Sequence, residues 1–147
     1  MYFVDQEKIE EKLVYIDKQI EIFQSGQAWK TDIEKSALER IVHMTIEAIL
    51  DVGNSMIDGF IMRDPGSYED IIEILEDEMV ITKEMSTSFK HIISYRKPLQ
   101  QDYVLVNHAE LEKAFIQEMP SLKQFSSSIR NYLTKKSGVV TAFKPVE

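Results

Sequence analysis

Cysteine is absent from this sequence of 147 residues, and its absence excludes disulfide bonds and thiolate metal sites. Long apolar runs are lacking too, since no stretch approaches the roughly 20 residues that a membrane-spanning helix needs. The amino terminus also lacks the basic and then apolar segments of a signal peptide. We therefore expect a soluble, cytoplasmic protein that does not associate with membranes.

Positive charge is in short supply as well. The sequence has 17 Lys and Arg residues against 25 Asp and Glu residues, which gives a formal net charge of -8. Proteins that coat nucleic acids neutralise many phosphates with Lys and Arg. A general nucleic-acid coat is therefore excluded, and any contact with RNA must be local.

Glycine is scarce, with five residues, and none stands in a glycine-rich loop that would cradle phosphates. Runs that alternate apolar and polar residues are missing. Apolar residues instead recur at steps of three and four, as on one face of a helix. We predict an all-α fold, an antiparallel bundle of about four to five helices. A single domain should cover residues 1–147, with its core at 5–136 and a tail at 137–147.

Polar capping residues divide the periodic segments into helices. Thr31 and Glu34 form a capping box, which should open a long helix from about residue 32 to 61. The first helix should end near Gly26, where glycine favours a stop. Pro98 should end or kink a later helix, and Pro120 should bend the last one. The predicted helix starts are Asp5, Thr31, Ser67, Thr82 and Asn107.

The second predicted helix carries more apolar residues than one contact face requires. The surplus consists of Ile46, Leu50, Ile57 and Ile61. Because twofold dimers are the commonest oligomers, we expect these residues to be buried against a second copy in a symmetric homodimer. The alternative is a monomer whose apolar stripes are all internal.

The same helix carries a polar ridge, which consists of Arg40, His43, Glu47, Asp51, Asn54 and Asp58. The simplest interpretation is a solvated helix face. The functional alternative is that Glu47 and Asp51 line a cleft and hold an arginine from elsewhere, because a buried guanidinium needs carboxylate partners. These carboxylates could also bind a metal, but no Glu-x-x-His pair accompanies them. We expect neither a metal nor another cofactor.

The stretch YRKPLQQDY, residues 95–103, places a proline inside an otherwise helical segment. Arg96 is suited to bidentate contact with phosphate, and Tyr103 can stack or donate a hydrogen bond. Two interpretations remain open. The segment is either a kinked core helix with polar residues to spare, or a small pocket for an anion or RNA that is duplicated across a dimer axis.

This stretch resembles the signature of the HepT-like proteins, a branch of the HEPN superfamily formerly grouped as domain of unknown function 86. That signature reads aromatic-Arg-Asn-x-Leu-x-His-x-Tyr, and the residues in register are Tyr95, Arg96, Leu99 and Tyr103. The segments EAILDVGNSMI and DPGSYEDIIEIL follow the family's order, so the resemblance covers about residues 5–136. MIDGFIMRDPGSY and YRK resemble the YutE-type branch.

The resemblance implies metal-independent RNA cleavage at a dimer cleft, with the motif arginine stabilising phosphate charge and the motif histidine moving a proton. Gln101 stands in place of that histidine, and an amide does not titrate near neutral pH. Lys97 replaces the family's asparagine and adds positive charge. The predicted site thus contains Arg96, Gln101 and Tyr103, with Glu47, Asp51 and Lys97 in support.

The resemblance also implies a partner, a minimal nucleotidyltransferase that acts as antitoxin and attaches AMP to the motif tyrosine, Tyr103 here. Three functions are compatible with the sequence. We favour a dimeric module that binds RNA, an anion or a partner but cleaves inefficiently. The others are an active ribonuclease toxin, for which His91 or His108 would have to supply the missing base, and a structural interaction protein with a residual motif.

Overall fold

The computed structural model describes residues 4–136, and every regular element within that range is helical. The α-helices are α1 Gln6–Phe23, α2 Asp32–Gly59, α3 Tyr68–Asp77, α4 Lys83–Ile93, α5 Arg96–Gln101, α6 His108–Gln117 and α7 Met119–Lys135. A 3₁₀ turn at Tyr103–Leu105 joins α5 to α6. The predicted all-α bundle is confirmed. The predicted tail at 137–147 lies outside the described residues.

Five helices, α1, α2, α3, α4 and α6, begin at the polar caps that the sequence indicated. The Thr31 hydroxyl accepts a hydrogen bond from the backbone N–H of Glu34 at 3.1 Å. The Glu34 carboxylate accepts one in return from the N–H of Thr31 at 3.0 Å. The helices α3, α4 and α6 are capped by the side chains of Ser67, Thr82 and Asn107. Each cap satisfies an N–H group that has no partner inside its helix.

Two helices end slightly earlier than predicted. α1 ends at Phe23 rather than near Gly26, and α2 ends at Gly59 rather than near residue 61. In both places the chain soon adopts a positive φ, 93° at Gly26 and 53° at Ile61. A right-handed helix cannot contain such a residue, so both helices stop before it.

The two prolines that we expected to disturb helices lie in first turns instead. Pro98 is the third residue of α5, and the chain has already left α4 at Ile93. Pro120 is the second residue of α7, which follows α6 after Glu118 alone. First-turn N–H groups have no intrahelical partner, so a proline there costs no hydrogen bond. The predicted last helix is therefore two helices, and the bundle has more helices than the four to five expected.

The central helix is α2, which packs against α1, α3, α5 and α6. Ile46, Leu50 and Ile57 are buried there, whereas Ile61 is exposed. The apolar surplus from which we inferred a homodimer is thus mostly covered by the chain's own helices, because α2 has neighbours on several sides. These three residues no longer support a dimer. The homodimer itself stays a proposal.

One hydrophobic core runs through the described residues. α2 and α3 approach each other closely at Gly53, where an added Cβ would stand 2.6 Å from Cγ2 of Ile71. The single tryptophan, Trp29, is buried and stacks on Phe23 with ring centroids 5.6 Å apart. Among the helices of this range, none is both long and apolar enough to cross a membrane.

Candidate functional site

A cavity of about 440 Å³, called the Arg96 cavity below, lies beside α5. It is lined by Tyr68, Ile93, Ser94, Arg96, Lys97, Gln100 and Gln101. Residues four apart share a helix face, so Arg96 aligns with Gln100 and Lys97 aligns with Gln101. The lining of the cavity therefore contains Arg96, Lys97 and Gln101, three of the six predicted site residues.

Arg96 is held by Glu47, which lies on α2. Nε of Arg96 donates a hydrogen bond to one carboxylate oxygen at 2.7 Å, and Nη2 donates to the other at 3.2 Å. The two side chains are only 19% and 24% exposed. The hydrogen bond to Glu47 raises the pKa of Arg96, although burial opposes this shift. The guanidinium therefore stays charged, and Nη1 is the nitrogen that is not committed to Glu47.

Tyr68 lines the cavity but is not among the six site residues predicted from the sequence. The guanidinium carbon of Arg96 lies 4.0 Å from the centroid of the Tyr68 ring, in cation–π geometry. Tyr68 is the first residue of α3 and is 49% exposed. One feature of the sequence points to Tyr68. It is an aromatic residue at a predicted helix start, directly after the DPGS turn, where burial is not expected.

The turn before Tyr68 is held by an ion pair. Arg63 donates hydrogen bonds from Nη1 and Nη2 to the two carboxylate oxygens of Asp70, at 2.7 and 2.8 Å. The N–H of Gly66 donates to the same carboxylate at 2.8 Å. The hydrogen bond from Arg63 has the largest effect on the Asp70 carboxyl and lowers its pKa to about 2, from its ordinary value of 3.8. These contacts fix the start of α3 and thus the position of Tyr68.

Asp51 lies outside the site. It stands one turn beyond Glu47, its side chain is 56% exposed, and its carboxylate is 3.7 Å from Nζ of Lys12 on α1. The sequence placed Glu47 and Asp51 on one ridge, but only Glu47 accepts hydrogen bonds from Arg96. The two carboxylates do not share a cation. Within residues 4–136, no three His, Asp or Glu side chains are grouped as metal ligands.

Gln101 and Tyr103 occupy different surroundings although they are two residues apart. Gln101 is exposed and lines the Arg96 cavity. Tyr103 lies on the 3₁₀ turn that follows α5, is 64% exposed, and is not among the residues that line the cavity. The turn carries the chain away from α5, so the motif is divided between a cavity and a neighbouring surface.

The histidines considered as replacements for the motif histidine are engaged elsewhere. Nδ1 of His91 pairs with the carboxylate of Glu118. Nε2 of His108 lies 2.7 Å from the carboxylate of Glu39. Neither lines the Arg96 cavity, and the third histidine, His43, does not line it either. No imidazole of the described chain therefore stands in the cavity beside Gln101.

Comparison with known proteins gives a family match over most of the chain. Residues 9–129 match the family model described as "Ribonuclease HepT-like". The chain is 48% identical over 144 residues to the Bacillus subtilis (strain 168) protein "Putative RNase YutE", covering 98% of this chain and 100% of that protein. It is also similar to the solved structure of Bacillus subtilis YutE, a cytosolic protein of unknown function. That match has a TM-score of 0.90 and 45% identity, and covers 100% and 99% of the two chains.

Two further structures share the fold at lower identity. A tri-AMPylated HEPN toxin of Shewanella oneidensis, solved in complex with the MNT antitoxin, has a TM-score of 0.74 and 21% identity. That match covers 84% of this chain and 96% of the toxin. A toxin–antitoxin structure with AMP-PNP has a TM-score of 0.75 and 18% identity, over 84% and 97% of the chains. At such identities the likeness is one of fold.

Proposed function

We propose that this chain, which belongs to the HepT-like ribonuclease family, is a homodimeric module that binds RNA at the Arg96 cavity without cleaving it efficiently. The observation that carries the proposal is the composition of the cavity. Arg96 and Lys97 supply positive charge, and Gln101 occupies the place where the family signature has histidine. Binding and charge stabilisation are retained, whereas the acid–base group is replaced.

Replacement of the histidine by an amide should slow cleavage strongly. RNA cleavage without a metal needs a group that removes a proton from the 2′-hydroxyl and one that protonates the leaving oxygen. Such general acid–base catalysis contributes roughly 10²- to 10⁴-fold to a rate. The Gln101 amide can orient a hydroxyl or contact a phosphate, but it does not exchange protons near neutral pH.

We also propose a protein partner, a minimal nucleotidyltransferase that modifies Tyr103 with AMP. Support comes from the Shewanella oneidensis HEPN toxin of the same fold, which is described as AMPylated and bound to an MNT antitoxin. Tyr103 is exposed, as a modification site must be. A cytoplasmic location belongs to the proposal and agrees with the description of the 45% identical Bacillus subtilis protein as cytosolic.

A second candidate is an active metal-independent ribonuclease. The observation in its favour is the 48% identical relative, whose name designates an RNase. The two candidates differ in one measurable respect, since both bind RNA at the Arg96 cavity but only the second cleaves it.

The test measures binding and cleavage of a fluorescent single-stranded RNA by purified protein in chelator, over a series of salt concentrations. We expect salt-sensitive binding without cleavage by the wild type, and loss of binding in Arg96→Ala. Arg130→Ala is the matched control, because Arg130 also pairs through Nε and Nη2 with one carboxylate, that of Glu10, at 3.0 and 2.8 Å. It lies outside the cavity, so its removal should leave binding unchanged.

Gln101→His tests the cause of inactivity. If the amide alone prevents cleavage, this variant gains cleavage, and adding Arg96→Ala removes it. Cleavage by the wild type would instead establish the second candidate. Absence of RNA binding would refute both. Light scattering on the same samples tests the homodimer, since a mass equal to one chain at all concentrations would refute it.

A further inference from the structure

We infer that the exposed face of Tyr68 is a stacking subsite for an unpaired nucleobase, next to the phosphate position at Arg96. The inference rests on the proposed function and makes it more specific, since it assigns single-stranded RNA as the ligand class. Neither the family model nor the descriptions of the relatives assigns a base-binding residue. Tyr68 also lies 28 positions before Arg96 and outside the YRKPLQQDY stretch.

The first reason is the position of the ring. The Arg96 guanidinium covers one face of Tyr68 at 4.0 Å, while about half of the residue remains exposed. Since the guanidinium occupies one face, a base can approach the ring at the opposite face. A large aromatic ring that is backed by a cation on one face is a platform on which a base can stack.

The second reason is that the platform is held in place before any ligand binds. Ser67 caps α3 by accepting a hydrogen bond from the N–H of Asp70 at 3.0 Å. The Asp70 carboxylate is in turn clamped by Arg63 and by the N–H of Gly66. Glu47 holds the guanidinium behind the ring. Binding therefore orders few additional groups, which lowers the entropic cost of association.

The third reason is the match between the cavity and one nucleotide. A phosphate can approach Arg96 at Nη1, which is not committed to Glu47, and Lys97 adds a second positive charge. Gln100 and Gln101 present amide donors and acceptors, which suit base edges and ribose hydroxyls. A base in a duplex has both faces covered by its neighbours, whereas an unpaired base can be laid on Tyr68.

Stacking also resolves a difficulty of charge. The chain has a net charge of -8, so its overall field repels RNA. Among residues 4–136, Arg96 and Lys97 are the two cationic side chains that line the cavity. Stacking on an aromatic ring strengthens binding by roughly 5-fold or more per base and requires no phosphate contact. Two phosphate contacts on a single strand predict a slope of about -1.4 for log K against log salt, from about -0.7 per phosphate.

The experiment compares two ligands of equal charge and length by fluorescence anisotropy. One is a labelled five-nucleotide oligouridylate, and the other is the same backbone with abasic tetrahydrofuran spacers. The proteins are wild type, Tyr68→Phe and Tyr68→Leu, each checked for an unchanged melting curve. We expect Tyr68→Phe to bind the oligouridylate like the wild type and Tyr68→Leu to lose roughly 5-fold or more, the low end of measured stacking losses.

The abasic ligand separates stacking from an indirect effect. With no base to stack, all three proteins should bind it alike, and an RNA duplex long enough to stay fully paired should also be insensitive to Tyr68→Leu. An equal loss on both ligands would show that Tyr68 only positions Arg96, and no loss would show that it does not take part. Either result overturns the stacking subsite and leaves RNA binding intact. If the wild type binds neither the oligouridylate nor the abasic ligand, the proposed function is overturned as well.

Discussion

Removal of the Glu47 carboxylate should destabilise the protein, because Arg96 would lose both of its hydrogen bonds to this side chain. Fully exposed ion pairs contribute about 0–1 kcal/mol, and breaking a buried pair costs about 3–5 kcal/mol. The side chains of Arg96 and Glu47 are 19% and 24% exposed, which places this pair between the two cases. We expect Glu47→Ala to lower the free energy of unfolding by about 2 kcal/mol.

A loss of that size corresponds to a fall of about 4–8 °C in melting temperature for a chain of this length. Glu47→Gln should lose less, since the amide keeps one oxygen acceptor for Arg96. The matched control is Asp51→Asn on the same helix. The Asp51 side chain is 56% exposed and contacts Lys12 only at 3.7 Å, so the control should change stability by less than about 0.5 kcal/mol.

The assay is urea unfolding followed by circular dichroism and by the fluorescence of Trp29, at two protein concentrations. Trp29 is the single tryptophan and is buried against Phe23, so it reports loss of the core. If the circular dichroism and fluorescence curves coincide, two-state analysis is justified. A midpoint that rises with protein concentration would show that unfolding is coupled to dissociation of an oligomer. A Glu47→Ala loss no larger than that of Asp51→Asn would refute the argument that Glu47 holds Arg96.

Three further predictions concern other contacts. Gly53→Ala should destabilise by about 1–2 kcal/mol in thermal unfolding, since overpacking against Ile71 outweighs the better helix propensity of alanine. Ile71→Ala removes the atom that the new Cβ would meet, so the double variant should lose less stability than the sum of the two single losses. Strictly additive losses would contradict the clash. In a carboxyl-carbon NMR titration, Asp70 should titrate near 2, so the stabilising pair is complete above pH 3.8 and is lost as pH falls toward 2. Arg63→Ala should raise that midpoint toward 3.8, and an unmoved midpoint would assign the shift to another cause. Thr31→Ala should cost about 1 kcal/mol in urea unfolding through loss of the cap on α2, and an unchanged midpoint would show that the box contributes nothing.

The elements predicted best were those set by neighbouring residues. Thr31, Ser67, Thr82 and Asn107 cap helices because a short polar side chain can reach an N–H three residues ahead, whatever the rest of the fold. The same locality places Arg96, Lys97 and Gln101 on one short helix, α5. The prolines were harder to interpret, since Pro98 is equally compatible with a kink and with a first turn.

The parts that sequence patterns did not predict depend on which helices meet. The ridge on α2 offered Glu47 and Asp51 on equal terms, and the approach of α5 selects Glu47 alone. Ile46, Leu50 and Ile57 suggested a dimer surface, but the neighbours of α2 within the chain cover them. An apolar or charged helix face shows only that a partner is needed and does not identify it.

The sequence by itself determined the helical character of this protein, five of its helix starts and the order of residues in the YRKPLQQDY stretch. These properties follow from interactions between residues a few positions apart. Only the tertiary structure decided that Glu47 binds Arg96 across 49 positions and that Tyr68 stacks beneath the same guanidinium. Contacts at such separations depend on how whole helices pack, and no local periodicity specifies them.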